Sequence, residues 1–129
     1  LLKKFGVSFD HIDLLSLKPI DLKSITRSVK KTRRLLILDN TSHEICSIGS
    51  EIVSKLIQQD NSIFKSEPIL LQLPDVHQPT SYHLTKRYFI SRRKIILSIL
   101  KLLNKKHKNF SIIENSHHDI IDDKKIFYF

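Results

Sequence analysis

The stretch from Arg34 to Ile57 constrains the fold of this chain more than any other. Leu35-Leu36-Ile37-Leu38 is a run of four aliphatics, Asp39 to Cys46 is mostly polar, and Gly49 is the first glycine after Gly6. Beyond the polar residues come Ile48, Ile52, Val53, Leu56 and Ile57. A short all-apolar run suits a strand covered on both faces, and apolar spacings of four, five, eight and nine suit one face of a helix. The stretch therefore reads as strand, loop and helix, the half-turn of a parallel α/β sheet. In such sheets ligands and partners meet the loop after the carboxyl end of the strand. Asp39 to Cys46, with His43 and Glu44, is the first place to look for function. With Gly49 the only nearby glycine and no Gly-Lys-Ser/Thr behind it, a phosphate cradle is not supported.

The 129 residues suffice for one domain, and 40% hydrophobic with 27% charged residues is the balance of a soluble globular protein. No apolar run approaches the ~20 residues that span a bilayer. Leu1 to Gly6 is expected to be the frayed end of a helix closed by its glycine, rather than a signal peptide. Because the sequence contains no Met, the chain is expected to begin partway through a larger one. A single cysteine, Cys46, excludes an internal disulfide and favours a reducing compartment. Its place before a helix start would suit a nucleophile, but a small apolar residue under the helix is the simpler reading.

The net charge of +9 is uneven. Glu114, Asp119, Asp122 and Asp123 against Lys124 and Lys125 leave residues 110–129 at −2, and hence residues 1–109 at +11. Basic residues cluster at Lys23–Arg34, Lys86–Lys94 and Lys101–Lys108. A solvated face is the plainest account of such clusters, with phosphate binding and acidic partners as the others.

Taken in order, Ser8 to Leu17 reads as a strand, stopped by Pro19. Asp21 caps a helix whose buried stripe is Leu22, Ile25 and Val29, ending near Thr32. The helix after Gly49 is expected to fray around Gln59-Asp60-Asn61, and Pro68 to Pro74 is a short buried strand. Asp75 to Ile90 has no clean period, the mark of a functional or interfacial segment, and holds the neighbours Tyr82 and His83. Ser91 caps a last helix with Ile95, Ile96, Ile99, Leu100, Leu102 and Leu103 on its apolar side. Residues 105–129 form a basic break and an acidic, aromatic-ended tail that either stays disordered or adds a strand or docks through Phe127-Tyr128-Phe129.

The succession Gly6-Val7-Ser8, Ile12-Asp13-Leu14, Leu17-Lys18-Pro19-Ile20-Asp21, Ser28-Val29-Lys30-Lys31-Thr32, Leu35 to Asp39, Gly49-Ser50-Glu51-Ile52 and Leu73-Pro74-Asp75-Val76 with Pro79-Thr80-Ser81 and Leu84 resembles one family. It is that of the C-terminal domain of transketolase-type thiamine diphosphate enzymes, above all the beta subunits of 2-oxoacid dehydrogenase complexes. The resemblance covers Leu1 to Leu103. It implies an α/β fold, a three-layer domain with a mostly parallel sheet, N-terminally incomplete because the family's first strand and helix lie upstream. It implies a domain over residues 1–104 and a separate tail over 105–129. It further implies a noncatalytic role in subunit assembly and docking to a dihydrolipoyl acyltransferase core. Thiamine diphosphate and Mg would be held by the parent enzyme, with no cofactor in this chain, and the other subunits would form a homodimer or heterotetramer with it. The compartment would be the cytoplasm, or the mitochondrial matrix in a eukaryote. His43, Glu44, Glu51, Asp75, Tyr82 and His83 are the candidate partner-facing residues.

Two other chemistries are weaker. His117-His118 with Asp119, Asp122 and Asp123 is the one dense set of metal-type ligands, yet it lies in a tail without fixed backbone positions. Lys86-Arg87-Tyr88-Phe89 with Arg92-Arg93-Lys94 has the composition of a single-strand nucleic-acid binder, and a stand-alone basic module is the alternative function. Core packing of those aromatics needs less invention.

Overall fold

A computed structural model describes residues 6–43 and 47–104, without the side chains of residues 41–43, 86 and 87. Six elements follow in order: α1 (Leu22–Thr32), β1 (Leu36–His43), α2 (Ile48–Gln59), β2 (Ile69–Leu73), α3 (Tyr82–Tyr88) and α4 (Arg92–Leu102). Local signals set most boundaries. The Asp21 carboxylate accepts from the Ser24 amide at 3.0 Å, satisfying a donor that the first turn of α1 would leave open. Ser47 does the same for α2 through the Ser50 amide, and Ser91 for α4 through the Lys94 amide. α1 stops at Arg33, whose φ of 56° is left-handed and whose amide returns to the Val29 carbonyl.

β1 and β2 run parallel, with Leu36 opposite Ile69, Ile37 opposite Leu70 and Leu38 opposite Leu71. A parallel pair needs a crossover, and α2 supplies it. Gly49 explains how closely. A Cβ placed there would stand 3.2 Å from Leu70 Cδ2 and 3.3 Å from Ile37 Cγ2, so a side chain at this position would have to shift both by a few tenths of an ångström, and glycine lets the first turn of α2 lie this near the strands without that shift. Ile25 and Val29 of α1, Ile52 and Leu56 of α2, and Ile63 then close one core, with Leu35 and Ile37 packed against it. Leu56 is fully buried and Val29 nearly so. Side chains alternate along a strand, so Leu36 and Leu38 face away from α2. On α4, Ile96 and Leu100 form a second, smaller buried cluster.

Three expectations need correction. Ser8 to Leu17 is not a strand: among the described residues it is an irregular segment, bent at Leu15 and Leu17, without a ladder partner, and Phe9, Ile12, Leu15 and Leu17 are exposed. Its apolar content suits a sheet, but a strand exists only with a neighbour to bond. The polar stretch after Leu38 is not all loop either, because β1 continues to His43, which stands opposite Leu73. Between the pairs Leu38–Leu71 and His43–Leu73, β1 takes five steps while β2 takes two, so β1 bulges and its register against β2 shifts where the polar residues enter the strand. Third, the segment without a clean period contains the short helix α3. The expected helix before Gly6 and the tail after Asn104 lie outside the described residues; Gly6 itself has a φ of 63°, as a helix-closing glycine would.

The irregular segment is tied down by one side chain. Asp10 accepts from Ser28 Oγ at 3.0 Å and from Lys31 Nζ at 3.0 and 3.3 Å, holding residues around it against α1. These contacts lower its pKa below the ordinary 3.8, chiefly through Lys31. The Ser24 hydrogen bonds lower Asp21 in the same way, and the Ser62 hydrogen bonds lower Asp60.

Two outcomes follow. Leu56→Ala should cost about 2–5 kcal/mol in urea unfolding, as deletion of a fully buried leucine does when a cavity remains, and a loss under about 1 kcal/mol would mean that the α1–α2 core is not formed as described. Carboxylates with depressed folded-state pKa stabilise the fold above their unfolded pKa and lose that contribution as pH falls through the folded value. The urea midpoint should therefore decline as pH falls from about 5 past 3.8, and the combined variant Asp10→Asn, Asp21→Asn, Asp60→Asn should flatten that decline. An unchanged slope would contradict the assignment.

Candidate functional site

Parallel strands end together, and here β1 and β2 deliver their carboxyl ends beside the first turn of α2. His43 closes β1 opposite Leu73, and Pro74-Asp75 turns the chain away immediately afterwards, the Val76 amide returning to the Pro74 carbonyl at 2.8 Å. The α2 start stands over the same end: Gly49 lies against Leu70 and the Gln72 amide nitrogen, and Ser47 Oγ is 2.9 Å from Ser50 Oγ. Glu51 sits in that first turn, where its charge complements the helix dipole, and is exposed with an ion pair to Lys55 at 3.1 Å. Three of the candidate residues, His43, Glu51 and Asp75, thus belong to one end of the sheet. Asp75 is exposed.

Tyr82 and His83 are placed differently. They open α3 and meet edge to face, ring centroids 5.9 Å apart at 71°. Their contact is local to that helix. α3 is fastened to the preceding turn by Thr85 Oγ1, which donates toward the Pro79 and Ser81 carbonyls at 3.1 and 2.8 Å. Val76, Tyr82 and Leu84 are all at least half exposed, so the segment from Pro74 to Leu84 presents apolar and aromatic groups to solvent. Glu44, Cys46 and the His117-His118 set lie outside the described residues.

Among the described residues no three His, Cys, Asp or Glu side chains converge to hold a metal. No helix of the described residues is long and apolar enough to cross a membrane.

One feature went unread in the sequence. An apolar groove of about 500 Å³ is lined by the segment from Val7 to Leu14 and by residues of β1. Val7, Phe9 and Ile12 line one side, Leu36 and Leu38 the other, and Ile99 of α4 also borders it. β1 has β2 as its single strand neighbour among the described residues, so its other edge faces this groove. The signal was present as the apolar residues Phe9, Ile12, Leu14, Leu15 and Leu17 without an adjacent pairing partner in sequence.

Comparison with known proteins agrees with this architecture. Residues 1–95 match the family model of the transketolase C-terminal domain. The chain is 30% identical over 104 residues to the pyruvate dehydrogenase E1 component subunit beta of Porphyra purpurea, covering 81% of this chain and 31% of that protein. It is 33% identical over 82 residues to the mitochondrial subunit beta of Saccharomyces cerevisiae, covering 64% and 22%. It is 28% identical over 102 residues to the beta subunit of an acetoin:2,6-dichlorophenolindophenol oxidoreductase of Cupriavidus necator, covering 79% and 30%. The chain thus spans less than a third of the length of these relatives. With strands, crossover helix and sequence in agreement, this chain belongs to the transketolase C-terminal domain family, in its pyruvate dehydrogenase E1 beta-like form.

Proposed function

We propose that this domain is a noncatalytic assembly and docking unit of a transketolase-like, 2-oxoacid dehydrogenase-type beta subunit. The observation that carries the reading is the groove beside β1. β1 and the segment around Phe9 and Ile12 flank an apolar gap, and a further strand laid along the edge of β1 that β2 leaves unused would fill it. Phe9, Ile12 and Leu38 are each 40% or more exposed, a cost that a covering strand would remove. The proposed domain occupies residues 1–104, completed by a strand and helix from the preceding part of the subunit, with residues 105–129 as a separate tail. Covalent continuity with that part would supply the strand at high effective concentration.

Function in this reading is mechanical and recognitive. The sheet end with His43, Glu51 and Asp75, and the Pro74–Leu84 segment with Tyr82 and His83, are the faces offered to other subunits, in a homodimer or heterotetramer, and to a dihydrolipoyl acyltransferase core. Exposed aromatic and apolar groups beside charged ones are the composition of an interface centre with its rim. Thiamine diphosphate and Mg would be held by the rest of the parent enzyme, in the cytoplasm or the mitochondrial matrix. The basic composition alone favours nucleic acid less, because Tyr88, within the basic aromatic cluster, is buried at 5% exposure and cannot stack on a base.

Isothermal titration of the chain with thiamine diphosphate and Mg should give no saturable heat, whereas the acyltransferase core should be captured and Tyr82→Ala with Asp75→Lys should weaken capture about tenfold without shifting the thermal midpoint. Saturable cofactor binding, or capture indifferent to those substitutions, would overturn the reading.

A further inference from the structure

The groove and the sheet end leave one strongly charged surface unused. On α1, Lys23, Arg27 and Lys30 follow at spacings of four and three, which puts them on one side of the helix. All three are exposed, and among the described residues no carboxylate lies within ion-pair distance of them. They rim a shallow, open depression of about 460 Å³ floored by Leu22, Thr26 and Gln59. The other cations of this region are occupied: Lys31 holds Asp10, and Arg33 donates to the Ser62 carbonyl. Asp21 and Asp60 stand near Arg27 and Lys30 and offset part of the charge, but neither reaches ion-pair distance, so three cations against two carboxylates leave the face net positive. No acidic residue stands within α1 at all.

A complementary segment exists in the same chain. Residues 110–129 carry Glu114, Asp119, Asp122 and Asp123 against two lysines, with Ile112, Ile113, Ile120 and Ile121 between them. The point from which this segment starts is fixed by the fold. Arg34 Nε donates to the Leu102 carbonyl at 2.9 Å, and Thr32 Oγ1 donates toward the Arg34 carbonyl at 3.1 Å, so the end of α4 lies beside the end of α1. From Asn104, the nine residues 105–113 reach up to about 30 Å, while α1 is about 16 Å long. The acidic residues can therefore reach any point of the cationic face.

We propose that the acidic segment Glu114–Asp123 docks in cis on the Lys23, Arg27 and Lys30 face of α1, its isoleucines over Leu22. Tethering gives the carboxylates a local concentration in the millimolar range, which compensates for the weakness of individual exposed ion pairs. The cationic face is thereby screened, and an outside polyanion has to displace the segment to reach it.

Zero-length carbodiimide cross-linking of the 129-residue chain, mixed with an isotope-labelled copy and mapped by mass spectrometry, tests this. Intramolecular links from Lys23 or Lys30 to Glu114, Asp119, Asp122 or Asp123 are expected, falling about tenfold at about 0.5 M salt, where exposed charges are screened. Asp119→Asn, Asp122→Asn, Asp123→Asn should abolish the links through those positions and leave the thermal midpoint unchanged. Reversing both sides, with Lys23→Glu and Lys30→Glu against Asp119→Lys and Asp122→Lys, should restore links of opposite polarity. Links only between labelled and unlabelled copies, links indifferent to salt, or none from the α1 lysines to the segment would each overturn the proposal.

Discussion

Everything in this domain depends on how closely α2 can lie against two parallel strands. Parallel pairing of β1 and β2 forces a crossover, and the crossover must cover the face it creates. At Gly49 the helix backbone stands so near Ile37 and Leu70 that a methyl group would have to push both aside. That approach brings Ile52 and Leu56 down onto the sheet, where Ile25 and Val29 of α1 meet them. Burial of each such side chain is worth about 1.5–3 kcal/mol. The capping serines and Asp21 orient the helices; the glycine sets the distance at which their apolar faces meet.

The same pairing determines where contact with other molecules is possible. Because the strands are parallel, their carboxyl ends, the start of α2 and the Pro74-Asp75 turn lie at one end of the sheet, where backbone groups and exposed side chains leave the core. The edge of β1 that β2 does not use meets the apolar groove instead. The chain matches the family over residues 1–95 and spans less than a third of the length of its relatives.

Much of the fold was legible because the relevant signals are local. The caps at Asp21 and Ser91, the apolar stripe Leu22, Ile25 and Val29, and the proline-bounded strand Ile69–Leu73 lie where spacing and turn chemistry indicate. What was not legible depends on distant partners. Ser8 to Leu17 has a strand's apolar content, but its state is decided by whether another strand lies beside it. β1 carries Asp39, Asn40, Thr41 and Ser42 in a bulge that no polarity pattern distinguishes from a loop. Asp10 reads as a solvent-facing strand residue, and its bonds to Ser28 and Lys31 span 18 and 21 residues of sequence. Of the candidate contact residues, His43, Glu51 and Asp75 were gathered by topology, which the alternating pattern already implied, whereas the Tyr82–His83 pair depends on a seven-residue helix too short to show a period.

Amide hydrogen exchange tests the central claim most directly, comparing residues 7–14 and the outward amides of β1 in the chain alone and in the chain joined to the preceding part of an E1 beta-type subunit. An open groove predicts rapid exchange at these positions in the chain alone and strong protection once a strand fills the gap, with α2 and the Leu56 core protected in both. Equal protection of residues 7–14 in the two states would contradict the account, because it would mean that the sheet is already complete without any other segment.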